Sequence, residues 1–159
     1  MADALQPGSP APDFDLAADS GGRVSLARLK GRNVVLYFYP KDDTTGCTKE
    51  AIDFTAAMKD FEAQDAVVVG VSKDSAKNHD RFKAKHQLNV VLGADPDGQA
   101  VEAYGVWIEK SMYGRTYMGI DRSTWLIDHQ GVIRRVWRKV KVPGHVAEVL
   151  KALREMNAG

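Results

Sequence analysis

The 159-residue chain holds one cysteine, Cys47. An intramolecular disulfide is therefore impossible and no cysteine zinc motif exists, so the chain reads as a protein of a reducing compartment, the cytoplasm, that folds on its apolar core alone. Charge of one sign is also missing: 22 Lys plus Arg stand against 21 Asp plus Glu. That balance gives no electrostatic reason to expect nucleic acid or an anionic membrane as a partner. No apolar run approaches membrane-spanning length, and Met1 to Pro10 lack the basic and apolar regions of a signal peptide. His79, His86, His129 and His145 share no i, i+4 spacing with one another or with Cys47, which argues against a metal site and leaves them as surface side chains. Asp95-Pro96-Asp97-Gly98 lacks the further ligands of a calcium loop and reads as a turn. No cofactor is implied. Repeats, low-complexity tracts and linkers are absent too, so residues 1–159 read as one domain, of a size that buries roughly two thirds of its unfolded surface.

What is present alternates between strand and helix patterns. Phe14 and Leu16 alternate with Asp13 and Asp15, Gly21-Gly22 marks a turn, and Val24 and Leu26 return, which predicts an N-terminal β-hairpin. Ser25 is placed to cap a short turn of helix ending at Gly31. Val34–Tyr39 and Ala66–Ser72 are continuous β-branched and aromatic runs, expected as strands buried on both faces. Between them Phe54, Met58 and Phe61 stand at i, i+4 and i+7, predicting one helix from about Cys47 to Gln64 and so a βαβ unit. Asp74 or Ser75 caps a second helix reaching about His86, followed by a strand over Val90–Ala94 and a short helix over Gln99–Tyr104.

Thr124–Ile127 and Val132–Trp137 flank Asp128-His129-Gln130-Gly131 as an antiparallel hairpin, whose Arg134, Arg135, Arg138, Lys139 and Lys141 suit the charged face of an edge strand. Pro143 opens a last helix with Val146, Val149, Leu150 and Leu153 as its apolar stripe. The expected fold is α/β: a mixed central sheet with helices on both faces, which fits the thioredoxin-like order of elements. Trp107, Ile108, Met112, Tyr113, Tyr117 and Met118 fall in a long connection, expected either as core or as an apolar lip.

Cys47 sits where a strand pattern gives way to a helix pattern. Pro40 suits the strand end because it has no N–H to donate, and Gly46 allows a tight backbone before the sulfur. Thr44 is placed to cap the helix with its hydroxyl and to reach a ligand oxygen, which puts Cys47 near the third helical position. Unpaired N–H groups and the positive end of the helix dipole there favour thiolate over thiol. A lone cysteine is ordinarily a small buried hydrophobe, and an isolated arginine such as Arg122 a solvated one; it is the neighbouring residues that point to reactivity.

The spacing Pro40-x-x-x-Thr44-x-x-Cys47 resembles the active-site motif of peroxiredoxins. The longer run Tyr39-Pro40-Lys41-Asp42-Asp43-Thr44-x-Gly46-Cys47-Thr48-Lys49-Glu50, together with Tyr117 to Asp128, resembles the subfamily of bacterioferritin comigratory protein and PrxQ along essentially the whole chain. The resemblance implies a thiol peroxidase acting on hydrogen peroxide and organic hydroperoxides in antioxidant defence. By position, Cys47 is the peroxidatic nucleophile that becomes a sulfenic acid, Thr44 the hydrogen-bond partner of the peroxide, Arg122 the cation beside the sulfur, and Pro40 a shield from solvent. Glu50, one helical turn after Cys47, corresponds to the acid that orients the arginine.

The resolving cysteine of many relatives, five residues after the first, is Ile52 here, and its other location, around Phe82, Lys83 and Ala84, is also empty of sulfur. The sulfenic acid is thus expected to be resolved from outside, by thioredoxin, glutaredoxin or a low-molecular-weight thiol, or by a Cys47-linked dimer of an otherwise monomeric protein. Thr45 replaces the proline usual between the threonine and glycine of the motif. A non-catalytic peroxide sensor signalling through oxidised Cys47 is the alternative. A thioredoxin-type reductase is closed off, because Thr44 stands where its second cysteine would be.

Overall fold

Val35, Tyr37 and Tyr39 point to one face of their strand, while Val34, Leu36 and Phe38 point to the other, and each set lies at the heart of a separate apolar cluster. The computed structural model, which describes residues 5–159, explains this two-sided burial: the strand is in the interior of a seven-stranded sheet. Its elements are β1 (Asp15–Ala18), β2 (Arg23–Ser25), α1 (Leu26–Leu29), β3 (Asn33–Phe38), α2 (Thr45–Ala56), α3 (Met58–Ala63), β4 (Ala66–Ser72), α4 (Ala76–His86), β5 (Val91–Ala94), α5 (Gln99–Ala103), β6 (Trp107–Met112), β7 (Arg115–Ile120), β8 (Ser123–Ile127), β9 (Ile133–Trp137) and α6 (His145–Ala158).

The sheet order is β2-β1-β5-β4-β3-β8-β9. β3, β4 and β5 run parallel, and the flanking strands are antiparallel, as a mixed sheet with an N-terminal hairpin requires. α2, α3, α4 and α6 contribute Phe54, Phe61, Phe82, Val149 and Leu153 to the core on one face. α1 and α5 cover the other with Leu26, Ala100 and Val101, against Phe38, Tyr104 and Trp125. Gly70 lies opposite Tyr37 across the β3–β4 pair, where a Cβ would stand 2.6 Å from Tyr37 Cζ. The glycine leaves the space that lets the Tyr37 ring lie over β4 and stack on Phe54, with centroids 4.7 Å apart.

Ser25 caps α1 and Ser75 caps α4, each hydroxyl accepting a backbone N–H, from Arg28 and Asn78. Three expectations need correction. The single helix over Cys47–Gln64 is broken at Ala57, which has φ −96° and ψ 6°. Phe54 before the break and Phe61 after it are both fully buried in one cluster.

The supposed long connection is a second sheet, the β6–β7 hairpin, closed by Tyr113 and Gly114 at φ 52° and 76°. A two-residue turn with both φ positive matches the twist of a hairpin. It holds Met112, Tyr113, Tyr117 and Met118 out of the core, with Tyr113 97 % exposed. Finally, His79 and His145 are buried, not on the surface; each is drawn inside by a polar partner, Asp42 for His79 and the Thr124 hydroxyl for His145.

Candidate active site

β3 runs out into Pro40, exposed at the strand end, and the loop Lys41–Thr44 turns the chain back with Asp43 at φ 60°. Thr44 takes the extended N-cap backbone and α2 begins at Thr45, so Cys47 is the third helical residue, as its spacing predicts. The expected hydroxyl cap does not form: Thr44 Oγ1 donates instead to the Lys41 carbonyl at 2.9 Å. The turn presents that carbonyl within reach, and a local side-chain to backbone bond wins over capping. The outcome commits the hydroxyl proton and leaves the oxygen lone pairs of this exposed side chain as acceptors.

Arg122 arrives from the two-residue link between β7 and β8, which is pinned on both sides. The Arg122 carbonyl accepts from Val140 N–H at 2.9 Å, and Asp121 bonds Val106 through its amide and Lys139 through its carboxylate. The guanidinium divides its donors: Nη2 points at Cys47 Sγ at 3.2 Å and Nη1 donates to Glu50 Oε1 at 2.7 Å. A Cβ at position 46 would meet Nη2 at 3.2 Å, so the glycine opens the approach of the cation to the sulfur. Cys47 itself is 1 % exposed. A guanidinium from a distant part of the sequence thus joins the sulfur and carboxylate of α2 in one unit.

Burial dominates the electrostatics of the unit. Glu50 is fully buried, and desolvation pushes its carboxyl up to about 7 in spite of the Arg122 charge beside it. Its second oxygen, Oε2, has no hydrogen-bond partner among the described residues, nor has the Tyr37 hydroxyl. Tyr37 is held well above the ordinary phenol range, first by burial and then by Glu50 and Cys47. Burial alone would favour deprotonated Arg122, but the charges of Glu50 and Cys47 outweigh it and move the guanidinium further up. Desolvation lowers Lys110 on β6, with Arg122 adding to the effect while Asp121 and Cys47 oppose it, which places this lysine within the field of the site. His145 is depressed to about 4, mainly by burial, and stays neutral beside Thr124.

Of the residues singled out in the sequence, Arg122 contacts both Cys47 and Glu50, Thr44 stands at the N-cap, and Pro40 follows the end of β3. Ile52 and Ala84, the positions without a resolving cysteine, are both exposed. Tyr37, Lys110 and His79, and the contact of the motif's Asp42 with His79, were not legible as parts of the site. Only the even alternation of β3, which puts Tyr37 and Tyr39 on the α2 face, hints at two of the residues involved.

A seven-stranded mixed sheet carrying a thiol at a helix start, beside an arginine and a buried glutamate, defines a thioredoxin-fold thiol enzyme. The sequence profile of the AhpC/TSA family matches residues 7–136, and the chain belongs to that family. Within it the chain is a peroxiredoxin of the bacterioferritin comigratory protein and PrxQ kind, a thiol-dependent peroxidase by class. It is 48 % identical to peroxiredoxin Bcp of Bacillus subtilis over 96 % of this chain and 98 % of that one. It is 50 % identical to the putative peroxiredoxin bcp of Coxiella burnetii over 94 % and 99 % of the two chains. The crystal structure of a Xylella fastidiosa PrxQ mutant superposes with a TM-score of 0.92 at 37 % identity, covering 98 % of this chain and 99 % of that one. The bacterioferritin comigratory protein of Xanthomonas campestris, studied for its alkyl peroxide reduction, gives 0.88 at 39 % identity over 99 % of each chain.

Proposed function

We propose that the protein reduces hydrogen peroxide and organic hydroperoxides by a one-cysteine mechanism at Cys47. The observation that carries this reading is the 3.2 Å contact of Arg122 Nη2 with a sulfur at the third position of α2. An ordinary thiol, with pKa about 8.5, is mostly protonated at neutral pH; a guanidinium and a helix N-terminus both favour the thiolate. The thiolate attacks the nearer peroxide oxygen along the O–O axis. An S–O bond forms as the O–O bond breaks, the sulfur gives up an electron pair, and the departing oxygen leaves as alkoxide or hydroxide that takes up a proton. Arg122 stabilises that developing charge, and Thr44, its own proton held by Lys41, accepts from the hydroperoxide O–H. Glu50 orients Arg122 through the 2.7 Å contact, and Pro40 limits solvent at the strand end.

The exposed Met112, Tyr113, Tyr117 and Met118 of the β6–β7 hairpin offer apolar surface that suits organic hydroperoxides, in keeping with the alkyl peroxide reduction studied in the Xanthomonas relative. Recovery comes from an external thiol: thioredoxin, glutaredoxin or a small thiol in the cytoplasm, with the chain acting as a single-domain monomer. No helix among the described residues is long and apolar enough to cross a membrane. Steady-state peroxide consumption in the presence of each reductant tests the reading. Continued turnover that disappears in Cys47→Ser supports it; one stoichiometric oxidation with no turnover under any of these thiols makes the protein a sensor instead.

A further inference from the structure

Resting on that reading of Cys47, a second requirement follows from burial. The oxidised sulfur must be reached by a thiol from another molecule, yet Cys47 is 1 % exposed in the first turn of α2, just after the loop. The loop therefore has to open for resolution and close for peroxide reduction. We propose that Asp42 and His79 form the latch on this loop, as positioning residues that set the balance between oxidation and resolution.

Asp42 is in the loop and His79 is on α4, outside the sequence motif. Asp42 Oδ1 accepts from the Tyr39 hydroxyl at 2.6 Å, and Oδ2 faces His79 Nδ1 at 2.7 Å. The other ring nitrogen, His79 Nε2, faces the Gly93 carbonyl at 3.0 Å. Both ring nitrogens meet oxygens, and the Tyr39 hydroxyl lies a further 3.4 Å from Nδ1, so the imidazole and the carboxyl are joined in one buried hydrogen-bonded chain. Such a pair holds tightly because removing either member leaves a buried polar group without its partner.

The backbone is tied as well. Asp42 N–H donates at 2.8 Å to Asp74 Oδ2, itself held by the Ser72 hydroxyl at 2.6 Å. Asp43 makes outer contacts with Lys85 Nζ at 2.6 Å and His86 Nε2 at 2.8 Å. The Asp43–Lys85 pair borders a crevice of about 190 Å³ between the loop and α4 and is open to water; Asp42 lines the same crevice but is largely buried, and His79 lies wholly beneath it. Two consecutive loop carboxylates are thus fastened to α4 and to the end of β4. The side-chain hydrogen bonds of Asp42 and His79 go to one another and to Tyr39 and Gly93, and the Asp42 amide to Asp74, none to Cys47, so the pair acts through loop position. With the latch open, a thiol attacks the sulfenic sulfur: an S–S bond forms, the S–O bond breaks, and the oxygen leaves as water with the thiol proton. A second thiol then exchanges to release Cys47.

The test measures two rate constants by stopped flow, oxidation of Cys47 by hydrogen peroxide and resolution of the sulfenic acid by glutathione, in wild type, Asp42→Asn, His79→Gln and the double variant. Each single variant is expected to raise the resolution rate roughly ten- to hundredfold, the change in opening that an unpartnered buried polar group implies, and to lower the oxidation rate. The double variant adds little more, because the two residues act as one unit. Leu153→Ala, a core change on α6, lowers overall stability without raising resolution. For variants that fail to fold, hydrogen exchange on wild type supplies the readout. Trapping Cys47 as a glutathione mixed disulfide is expected to raise exchange at the Asp42 amide at least tenfold while Val69 in β4 stays protected. Normal oxidation with unchanged resolution in both single variants, an equal rise in Leu153→Ala, or unchanged Asp42 protection would overturn the latch alone. Failure of wild-type Cys47 to be oxidised would overturn the peroxidase reading and the latch with it.

Discussion

Glu50→Gln isolates the one carboxyl in the site whose titration is set by burial. In the folded chain Glu50 takes up its proton at about 7, against an ordinary value of 4.5 that applies once the chain unfolds. A raised folded value means that the folded form binds the proton more tightly. Its stabilising contribution is complete below 4.5 and is lost as pH rises through the interval up to about 7. Each pH unit of that interval is worth about 1.4 kcal/mol, so the whole is about 3 kcal/mol. Glutamine keeps the shape and the oxygen that accepts from Arg122 Nη1, but it does not titrate.

Urea unfolding followed by fluorescence, repeated between about pH 4 and about pH 8, gives the stability curves of the two proteins. Wild type is expected to lose stability relative to the variant as pH rises, equivalent to a relative shift of about 1–2 M in midpoint for a typical urea m-value. The absolute stability of the variant is not the readout, because its amide also lacks a partner where Oε2 stood. Curves that run parallel across the interval would refute the reasoning: Glu50 would then be ionised throughout, with the attraction of Arg122 outweighing the loss of water.

Arg122→Ala removes the donor at Cys47 Sγ and strands Glu50, and is expected to slow oxidation of the thiol by about 10²- to 10³-fold. An unchanged rate, followed by peroxide-dependent loss of thiol alkylation, would take Arg122 out of the chemistry. Thr44→Val should slow peroxide reduction roughly tenfold or more by deleting an acceptor for the hydroperoxide, with the melting temperature nearly constant because the side chain is exposed. A large loss of stability with normal rates would instead make the Lys41 contact its main role. Gly70→Ala drives a methyl group against a Tyr37 ring already backed by Phe54, and calorimetry should show a loss of about 1–3 kcal/mol. No change would mean that the ring can shift aside.

Hydrophobic periodicity carried the strands β3 and β4, the cap residues Ser25 and Ser75 and the stripe of α6, because each is a local pattern in which neighbouring residues share one environment. The β6–β7 hairpin escaped for the same reason. Its Glu109, Lys110, Ser111 and Thr116 dilute the strand signal, and its Tyr-Gly turn lacks the asparagine or aspartate that usually announces two positive φ angles. The break at Ala57 left no mark either, since the i, i+4, i+7 spacing of Phe54, Met58 and Phe61 continues across it.

The chemistry around Cys47 divides in the same way. A thiol at a strand-to-helix junction, after a proline and a threonine, is a matter of consecutive residues, and its place at the third position of α2 was readable before any contact was known. So was the lack of an internal resolving thiol. The tertiary structure alone decided that Glu50 loses its water, that Asp42 finds a histidine on α4, and that the Thr44 hydroxyl turns to Lys41 rather than to the helix. Charge state and hydrogen-bond choice depend on what surrounds a group in three dimensions. For Glu50 and Asp42 those surroundings come from Arg122 beyond β7, from α4 and from the sheet, segments that a local reading of the chain around residue 47 does not contain; for Thr44 it is the fold of the loop that brings the nearby Lys41 carbonyl within reach.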